Sequence, residues 1–413
     1  MSKRVLFVVP YAPNLIRVRP YNLIRHLTER GNRVTVLTLW TSRQEMESLE
    51  QLKPFAERVL AVRLPRWRSF WNCALALPTR KPLQAVYCWE PALARQLSAL
   101  AAPSSREPDA FDVVHVEHLR GAAYGLYLKS LTGKGRSPLP IVWDSVDSIS
   151  LLFRQARMRS KSLLSRGMTW FELGRTERYE GWLLSQFNHV LITSRMDQQA
   201  LLSAIPPGIR PPPTSVLRNG VDLDYFKPDP GITRDPDSVV ISGKMSYHAN
   251  ITMVLHFVQA IMPQVWASRP DARLVVVGKD PPREIQALSG NQKITITGTV
   301  QHLPPFLQQA TLAAAPIAYG VGIQNKVLEA MACATPVITT PQAISALDVQ
   351  PGREVLVAED PAVFAQAILD LLGNPAQRER LGQAGRCYVE SHHNWAAVAA
   401  QLEDIYSQAI AGQ

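Results

Sequence analysis

The residues with the most evident chemical potential lie in one stretch of the 413-residue chain, TGTVQHLPPFLQQATLAAAPIAYGVGIQNKVLEAMACATPVITT (297–340). Gly320 and Gly322 make a turn after an apolar strand, and the pattern predicts a helix from about Asn325. Free backbone amides at a helix start, beside small glycines, form a phosphate site. Lys326 falls in that first turn and adds a cation suited to a diphosphate, whose charge offsets the helix dipole. Glu329 follows three residues later on the same face. A carboxylate there accepts hydrogen bonds from vicinal hydroxyls. The same spacing also fits a capped amphipathic helix with a surface Lys–Glu pair.

Two further groups of residues bear on function. Arg17 and Arg19 follow the first predicted strand, where loop arginines either bind phosphate or stay solvated. LPRWRSFW (64–71) and the arginine-rich run 153–184 mix basic residues with Trp67, Phe70, Trp71, Trp170, Phe171, Tyr179 and Trp182. That mixture suits an anionic membrane surface. Single-stranded nucleic acid stacks on the same residue types, and a plain core with a solvated basic face is the third reading. His392 and His393 read as a surface pair.

These residues need elements to position them. Short β-rich runs alternate with helical patterns along the whole chain, which implies parallel, doubly wound sheets. The first half reads as strands at 4–10, 33–39, 58–65, 112–118, 140–147 and 189–194. The second half reads as strands at 238–243, 272–278, 293–298, 312–318, 335–340 and 354–359. Its helices are expected near 251–268, 303–310, 325–334, 361–373 and 376–391, with a last one at 394–411. Proline-rich stretches at 205–213 and 228–236 are the linker candidates. The reading is two α/β domains, 1–205 and 206–393, with the terminal helix packing back on the first. Ligands in such folds bind at the carboxyl ends of the strands, and a cleft between two facing sheets is the expected place for a small molecule.

Composition sets the limits. Apolar residues make up 46% and charged residues 19%, which is ordinary for globular domains. The net charge is +10, and it is uneven. Residues 1–200 carry 29 Lys/Arg against 16 Asp/Glu, whereas residues 201–413 carry 15 against 18. The basic half suggests phosphate-bearing or membrane-surface partners. Four scattered cysteines make neither a disulfide framework nor a zinc site and suit a reducing, cytoplasmic setting. No apolar run is long enough to span a membrane, and the start, MSKRVLFVVPYAPN, reads as a buried strand rather than a leader. The first turn, PYAPNLIR, lacks the GxGxxG of a nicotinamide-dependent oxidoreductase.

GIQNKVLEAMACATPVI resembles the nucleotide-sugar motif of the retaining family-4 glycosyltransferases, which have the GT-B fold. SVLRNGVDLDYFKPD (215–229), VVISGKMSYHANI (239–251), LVVVGKDPP and ITGTV resemble, in order, further segments of the family's donor domain. RVLFVVPYAPN, FDVVHVEH and PIVWDSVDS are consistent with its acceptor domain. The combination of GxxQNKVLEAMA with WDSVDS is most similar to transferases linked to exopolysaccharide export.

The resemblance implies a donor site of Gly243, Lys244, Thr299, Val300, Gly322, Ile323, Gln324, Asn325, Lys326 and Glu329. Lys244 and Lys326 neutralise the diphosphate, Glu329 holds the ribose, and backbone around Thr299 and Val300 reads the base. Asp147 is the first choice for positioning the acceptor hydroxyl, with His118 as the alternative, and Arg17 and Arg19 meet acceptor or donor phosphate. Two positions depart from the pattern: Val321 stands where the first Glu of E-x7-E is usual, and Val146 where a His is frequent. The implied activity is a retaining transfer from a nucleotide-diphosphate sugar, UDP favoured, that needs no metal or other cofactor. The implied acceptor is a saccharide, including a lipid-linked one, and no nucleic-acid partner is expected. A GT-B epimerase and a non-catalytic GT-B scaffold are the alternatives. The expected location is the cytoplasm, with peripheral contact to the inner face of the plasma membrane.

Overall fold

The computed structural model describes residues 2–14, 17–101, 110–132, 139–159, 163–319 and 323–412. The chain divides into two compact units, residues 1–218 with 395–413, and residues 219–394. Each is an α/β unit built on one sheet whose strands all pair in parallel.

The first sheet contains β1 (Arg4–Val9), β2 (Arg33–Trp40), β3 (Arg58–Arg63), β4 (Val113–Glu117), β5 (Ile141–Val146), β6 (His189–Ile192) and β7 (Thr214–Val216), in the order β3-β2-β1-β4-β5-β6-β7. The order reverses between β1 and β4. Loops there leave in opposite directions and open a crevice at the carboxyl edge. Side chains of β1 alternate between two cores. Val5, Phe7 and Val9 pack with Leu23, Ile24 and Leu27 of the helix Val18–Glu29 and with Leu402 and Ile405 of the helix Trp395–Ala411. Leu6 and Val8 face Leu119, Tyr124, Leu183 and Leu184. Covering both faces explains why these strands read as continuous apolar runs.

The second sheet contains β8 (Ser238–Ser242), β9 (Arg273–Val277), β10 (Ile294–Gly298), β11 (Leu312–Ala315), β12 (Val337–Thr339) and β13 (Leu356–Val357), in the order β10-β9-β8-β11-β12-β13. Its reversal lies between β8 and β11. The helix Asn325–Ala332 follows β11 and buries Val327, Leu328, Ala330 and Met331 against the sheet core. The helix Pro361–Gly373 shows the usual start signals: Pro361 opens it, and Asp360 accepts from the backbone amides of Ala362 and Val363 at 2.8 and 3.1 Å.

Three local features differ from the sequence expectation. The strand β7 follows three prolines and has only three residues, too few for a visible period, so the first sheet extends beyond residue 205. The single helix expected at 251–268 is instead His248–His256, a wider π turn at Phe257–Ile261, and Met262–Ser268. Pro263 lacks an amide hydrogen for the preceding turn, which favours that break. His393 is fully buried rather than on the surface. Its Nδ1–H donates to the Asn219 carbonyl at 2.6 Å, and Nε2 meets Tyr388 Oη at 3.3 Å. Among the described residues no helix is long and apolar enough to cross a membrane.

Candidate functional site

In the second unit the loops after β8, β9 and β10 draw together around glycines. The Gly243 amide donates to the Val277 carbonyl at 3.0 Å, and the Gly278 amide to the Gly298 carbonyl at 3.3 Å. A Cβ on Gly278 would sit 1.7 Å from the Gly243 carbonyl oxygen, and one on Gly243 would sit 2.9 Å from Asn250 Nδ2. Only glycine allows so close a backbone approach. Gly243 also has φ +148°, which side-chain-bearing residues rarely adopt.

Lys326 reaches into this collar from the helix Asn325–Ala332. Its Nζ donates to Asn250 Oδ1 at 2.8 Å, and Asn250 Nδ2 donates to the Lys244 carbonyl at 2.9 Å. Asn250 therefore ties the lysine to the loop after β8. Burial pushes the Lys326 ammonium down to about 8, although Glu329 pulls the other way. Glu329 keeps part of its surface accessible, yet its apolar surroundings push the carboxyl up to about 7 against the attraction of Lys326. Asn325 Oδ1 is a buried acceptor with no partner among the described residues. Such an atom costs free energy unless something donates to it. A cation, a carboxyl and an open acceptor thus share one helix start.

The remaining donor-side residues fall as follows. Lys244 and Thr299 are exposed, Val300 packs partly on the core, Ile323 is buried, and Gln324 begins the helix without a side-chain cap. Gly322, with Gly320 and Val321, lies outside the described residues.

In the first unit the carboxyl ends of β1, β4 and β5 carry a buried polar network. Arg19 Nε donates to Asp144 Oδ2 at 2.8 Å, and its Nη1 to the Leu217 carbonyl at 3.0 Å. Burial alone would raise Asp144, but the Arg19 guanidinium and His115 hold it below the usual carboxylate range. His115 Nε2 lies 3.6 Å from the same carboxylate, and its Nδ1 is 2.9 Å from Tyr406 Oη. Tyr11 Oη donates to Glu117 Oε1 at 2.7 Å. Glu117 Oε2 has no partner among the described residues. Burial, reinforced by the charge of Asp144, pushes Glu117 up to about 8.

The two expected acceptor-side residues sit beside this network. His118 follows β4 with φ +64°, and its Nδ1 accepts from the Arg120 amide at 3.2 Å. Burial and the nearby Arg120 push the imidazole down to about 3. Neutral His118 therefore carries its proton on Nε2, as a donor. Asp147 follows β5; its Oδ1 accepts from Thr193 Oγ1 at 3.1 Å, and burial together with the charge of Asp197 pushes it up to about 7. Val146, between them, has φ +66° at a break in the β5–β6 register. A β-branched residue in that conformation is strained by about 1–2 kcal/mol, and such strain clusters at working sites.

The two arginines separate. Arg17 ion-pairs with Glu45 at 3.0 Å, and its guanidinium lies 4.6 Å from the Tyr11 ring centre. Arg19 is not in a loop at all: it belongs to the first turns of the helix Val18–Glu29, is buried, and spends its bonds on Asp144 and backbone. Sequence reasoning passed over Tyr11, His115, Glu117 and Asn250 as site residues, and weighed Asp144, in the run WDSVDS, chiefly as a helix or turn cap. The one available signal was the polar pair Glu117–His118 closing an otherwise apolar strand. Asn250 gave none. Among the described residues no three His, Cys, Asp or Glu are grouped to hold a metal ion.

Comparison with known proteins gives a consistent picture. Residues 17–225, just over half the chain, match the family described as Glycosyltransferase Family 4, and residues 236–374 match Glycosyl transferases group 1. The chain is 30% identical over 161 residues to the GDP-mannose-dependent monoacylated alpha-(1-6)-phosphatidylinositol monomannoside mannosyltransferase of Corynebacterium glutamicum, covering 35% of this chain and 41% of that protein. It is 28% identical over 240 residues to the alpha-maltose-1-phosphate synthase of Mycobacterium tuberculosis, covering 50% of this chain and 59% of the relative. The chain thus spans about half the length of these two relatives. Among solved structures, sucrose-phosphate synthase from Thermosynechococcus elongatus superimposes with a TM-score of 0.73 at 18% identity, covering 100% of both chains. Anabaena HepE in complex with UDP and glucose does so with 0.65 at 14% identity, covering 98% of this chain and 100% of that one. At those identities the likeness concerns the fold. With two parallel doubly wound sheets and a family match across the first, the chain has the GT-B fold and belongs to glycosyltransferase family 4.

Proposed function

We propose that the protein transfers a sugar from a nucleotide-diphosphate sugar to an acceptor hydroxyl, with retention of configuration and without a metal. The observation that carries this reading is Lys326, held by Asn250 above the Gly243–Gly278 contact at the start of the helix Asn325–Ala332. Backbone packed that tightly leaves room for a diphosphate, and the lysine supplies its counter-charge. Glu329 accepts from ribose hydroxyls, Asn325 Oδ1 from a hydroxyl of the donor, and the chain at Thr299 and Val300 meets the base. Lys244, exposed on its loop, adds a second cation. Ile323 and Gln324 provide amides at the sugar.

In the transfer, the acceptor oxygen bonds to the anomeric carbon as the bond from that carbon to the diphosphate oxygen breaks. The hydroxyl proton passes to the departing diphosphate on the same face, leaving a glycoside and a nucleoside diphosphate. The protein contributes orientation and charge stabilisation. Asp147 accepts from an acceptor hydroxyl beside the reacting one and so positions it, and His118 Nε2–H donates to an oxygen of the acceptor. Arg19 and His115 act one step back by fixing Asp144. Arg17 is left for an acceptor phosphate at the price of its pairing with Glu45.

UDP is the favoured nucleotide because a structure of similar fold holds it. The Corynebacterium relative, named for GDP-mannose, defines the competing arm. The same relative is named for a phosphatidylinositol mannoside, a lipid-linked saccharide. That supports a lipid-linked acceptor, as in exopolysaccharide or cell-surface glycan synthesis at the inner face of the plasma membrane. The test is nucleotide release from UDP- and GDP-sugars with and without saccharide acceptors, with the product anomer read by NMR. Acceptor-dependent release with a retained anomer is expected. Interconversion of the donor without an acceptor would instead indicate an epimerase, and no turnover with any pair would contradict the reading.

A further inference from the structure

The helix Arg66–Ala76 is turned inside out. Trp67, Phe70, Trp71 and Leu75 recur at helical spacing, yet they form its outer face, with Phe70 at 68% and Leu75 at 71% exposure. The inner face is Ser69 and Ala76. A stripe of that size in water is unfavourable by itself and marks a contact surface.

The stripe is held in place by a neighbouring helix. Arg175, buried in the helix Leu163–Leu184, donates through Nη2 to the carbonyls of Ala76 at 2.8 Å and Leu77 at 3.0 Å, and also to that of Thr79. Glu172 on the same helix accepts from the Leu83 amide at 2.9 Å. The carbonyl end of the first helix is thus docked rigidly on the second.

A pocket of about 510 Å³ opens where the two meet, lined by Leu77, Arg80, Arg157, Trp170, Phe171 and Arg178 among others. Trp170 is 67% exposed. Arg80, Arg157 and Arg178 are exposed and have no hydrogen-bond or ion-pair partner among the described residues. Arg154, one turn from Arg157, is by contrast paired with Glu177.

We propose that this surface docks the protein on an anionic lipid bilayer, with the apolar stripe in the headgroup–acyl boundary and a lipid phosphate between the three arginines. Charge complementarity selects the occupant, since three unpaired guanidiniums surround indole and phenyl rings. Leu75 and Leu77 have no flat face for bases to stack on, which favours lipid over single-stranded nucleic acid. A second copy would bring the same arginines against themselves across a two-fold axis.

The residues involved are separate from the nucleotide site, so the surface and the transfer reading fail independently. The test is co-flotation of the full chain with vesicles of phosphatidylcholine alone, or mixed with phosphatidylglycerol, at low and high salt. Binding to the mixed vesicles that weakens with salt is expected. Changing Arg80, Arg157 and Arg178 together to Gln should weaken it about a hundredfold, at roughly fivefold for each arginine. Changing Trp67, Phe70 and Trp71 to Ser should weaken it at both salt levels. Circular dichroism and nucleotide titration confirm that both variants stay folded. Absence of vesicle binding by the parent, or binding indifferent to both variants, overturns the proposal. So does binding of a single-stranded oligonucleotide in place of vesicles.

Discussion

Lys326 is the charge that the proposed chemistry needs most, and its surroundings work against that charge. Pushed down to about 8, it is protonated below that pH and neutral above it. Nucleoside-diphosphate affinity should therefore be greatest between about pH 7 and 8, weaken below as Glu329 takes up a proton, and fall by up to about tenfold per unit above as Lys326 loses its own. Titrations from mildly acidic to alkaline pH check this, and Lys326→Arg should move the fall upward. Lys326→Met should abolish the alkaline limb and most of the affinity. It should also raise unfolding stability at neutral pH by about 1–2 kcal/mol, because a half-hidden charge is removed. Glu117 offers the matching test in the first unit. With its folded value raised to about 8, the protein prefers it protonated, so it costs stability increasingly as pH rises from the ordinary carboxylate range to about 8. Glu117→Gln should gain thermal stability over the parent across that window and be level with it at acid pH. Asp147→Asn should lower transfer far more than nucleotide affinity, and equal losses would remove it from the acceptor side. The pair Lys326–Glu329 was legible in the sequence because helical spacing is local. Asn250, 76 residues from Lys326, and Asp144, 125 from Arg19, were not. Only the strand order brings those partners together.

At the scale of elements, the sites depend on how closely loops approach at the strand ends. Gly278→Ala would place a methyl inside the Gly243 carbonyl, so the loop after β9 must move. A loss of about 3 kcal/mol or more is expected, together with loss of nucleotide binding, by denaturant unfolding and titration. Val146→Asn tests the opposite case, since Asn tolerates positive φ. It should stabilise the fold by about 1 kcal/mol, and a loss would show that the local strain is repaid by Val146 packing. Most strands were readable as short apolar runs between Gly, Pro and polar residues, and caps such as Asp360-Pro361 marked helix starts. The strand β7 was not readable, because three residues after Pro211–Pro213 carry no period. Nor was the π turn at Phe257–Ile261, where apolar spacing continues unbroken through a change of hydrogen-bond register. The stripe on Arg66–Ala76 was ambiguous for a different reason: amphipathic spacing shows that a face exists and not which way it points.

For the whole molecule, two units with their own cores imply that a ligand held by one stabilises that one. A saturating nucleotide, at about a hundred times its dissociation constant, adds about 2.7 kcal/mol to the unit that binds it. Hydrogen exchange should show that protection concentrated in residues 219–394. The charge asymmetry was legible from composition: 29 Lys/Arg against 16 Asp/Glu in residues 1–200, and 15 against 18 in residues 201–413. The donor site is the feature on which the proposed transfer depends most. Its most direct test is calorimetric titration of the parent and of Lys326→Ala and Glu329→Ala with UDP, GDP and ADP, with and without magnesium. Micromolar binding selective for one nucleotide, UDP first, is expected, unchanged by magnesium and weakened in both variants. No binding to any of the three, or affinity unchanged in both variants, would contradict it.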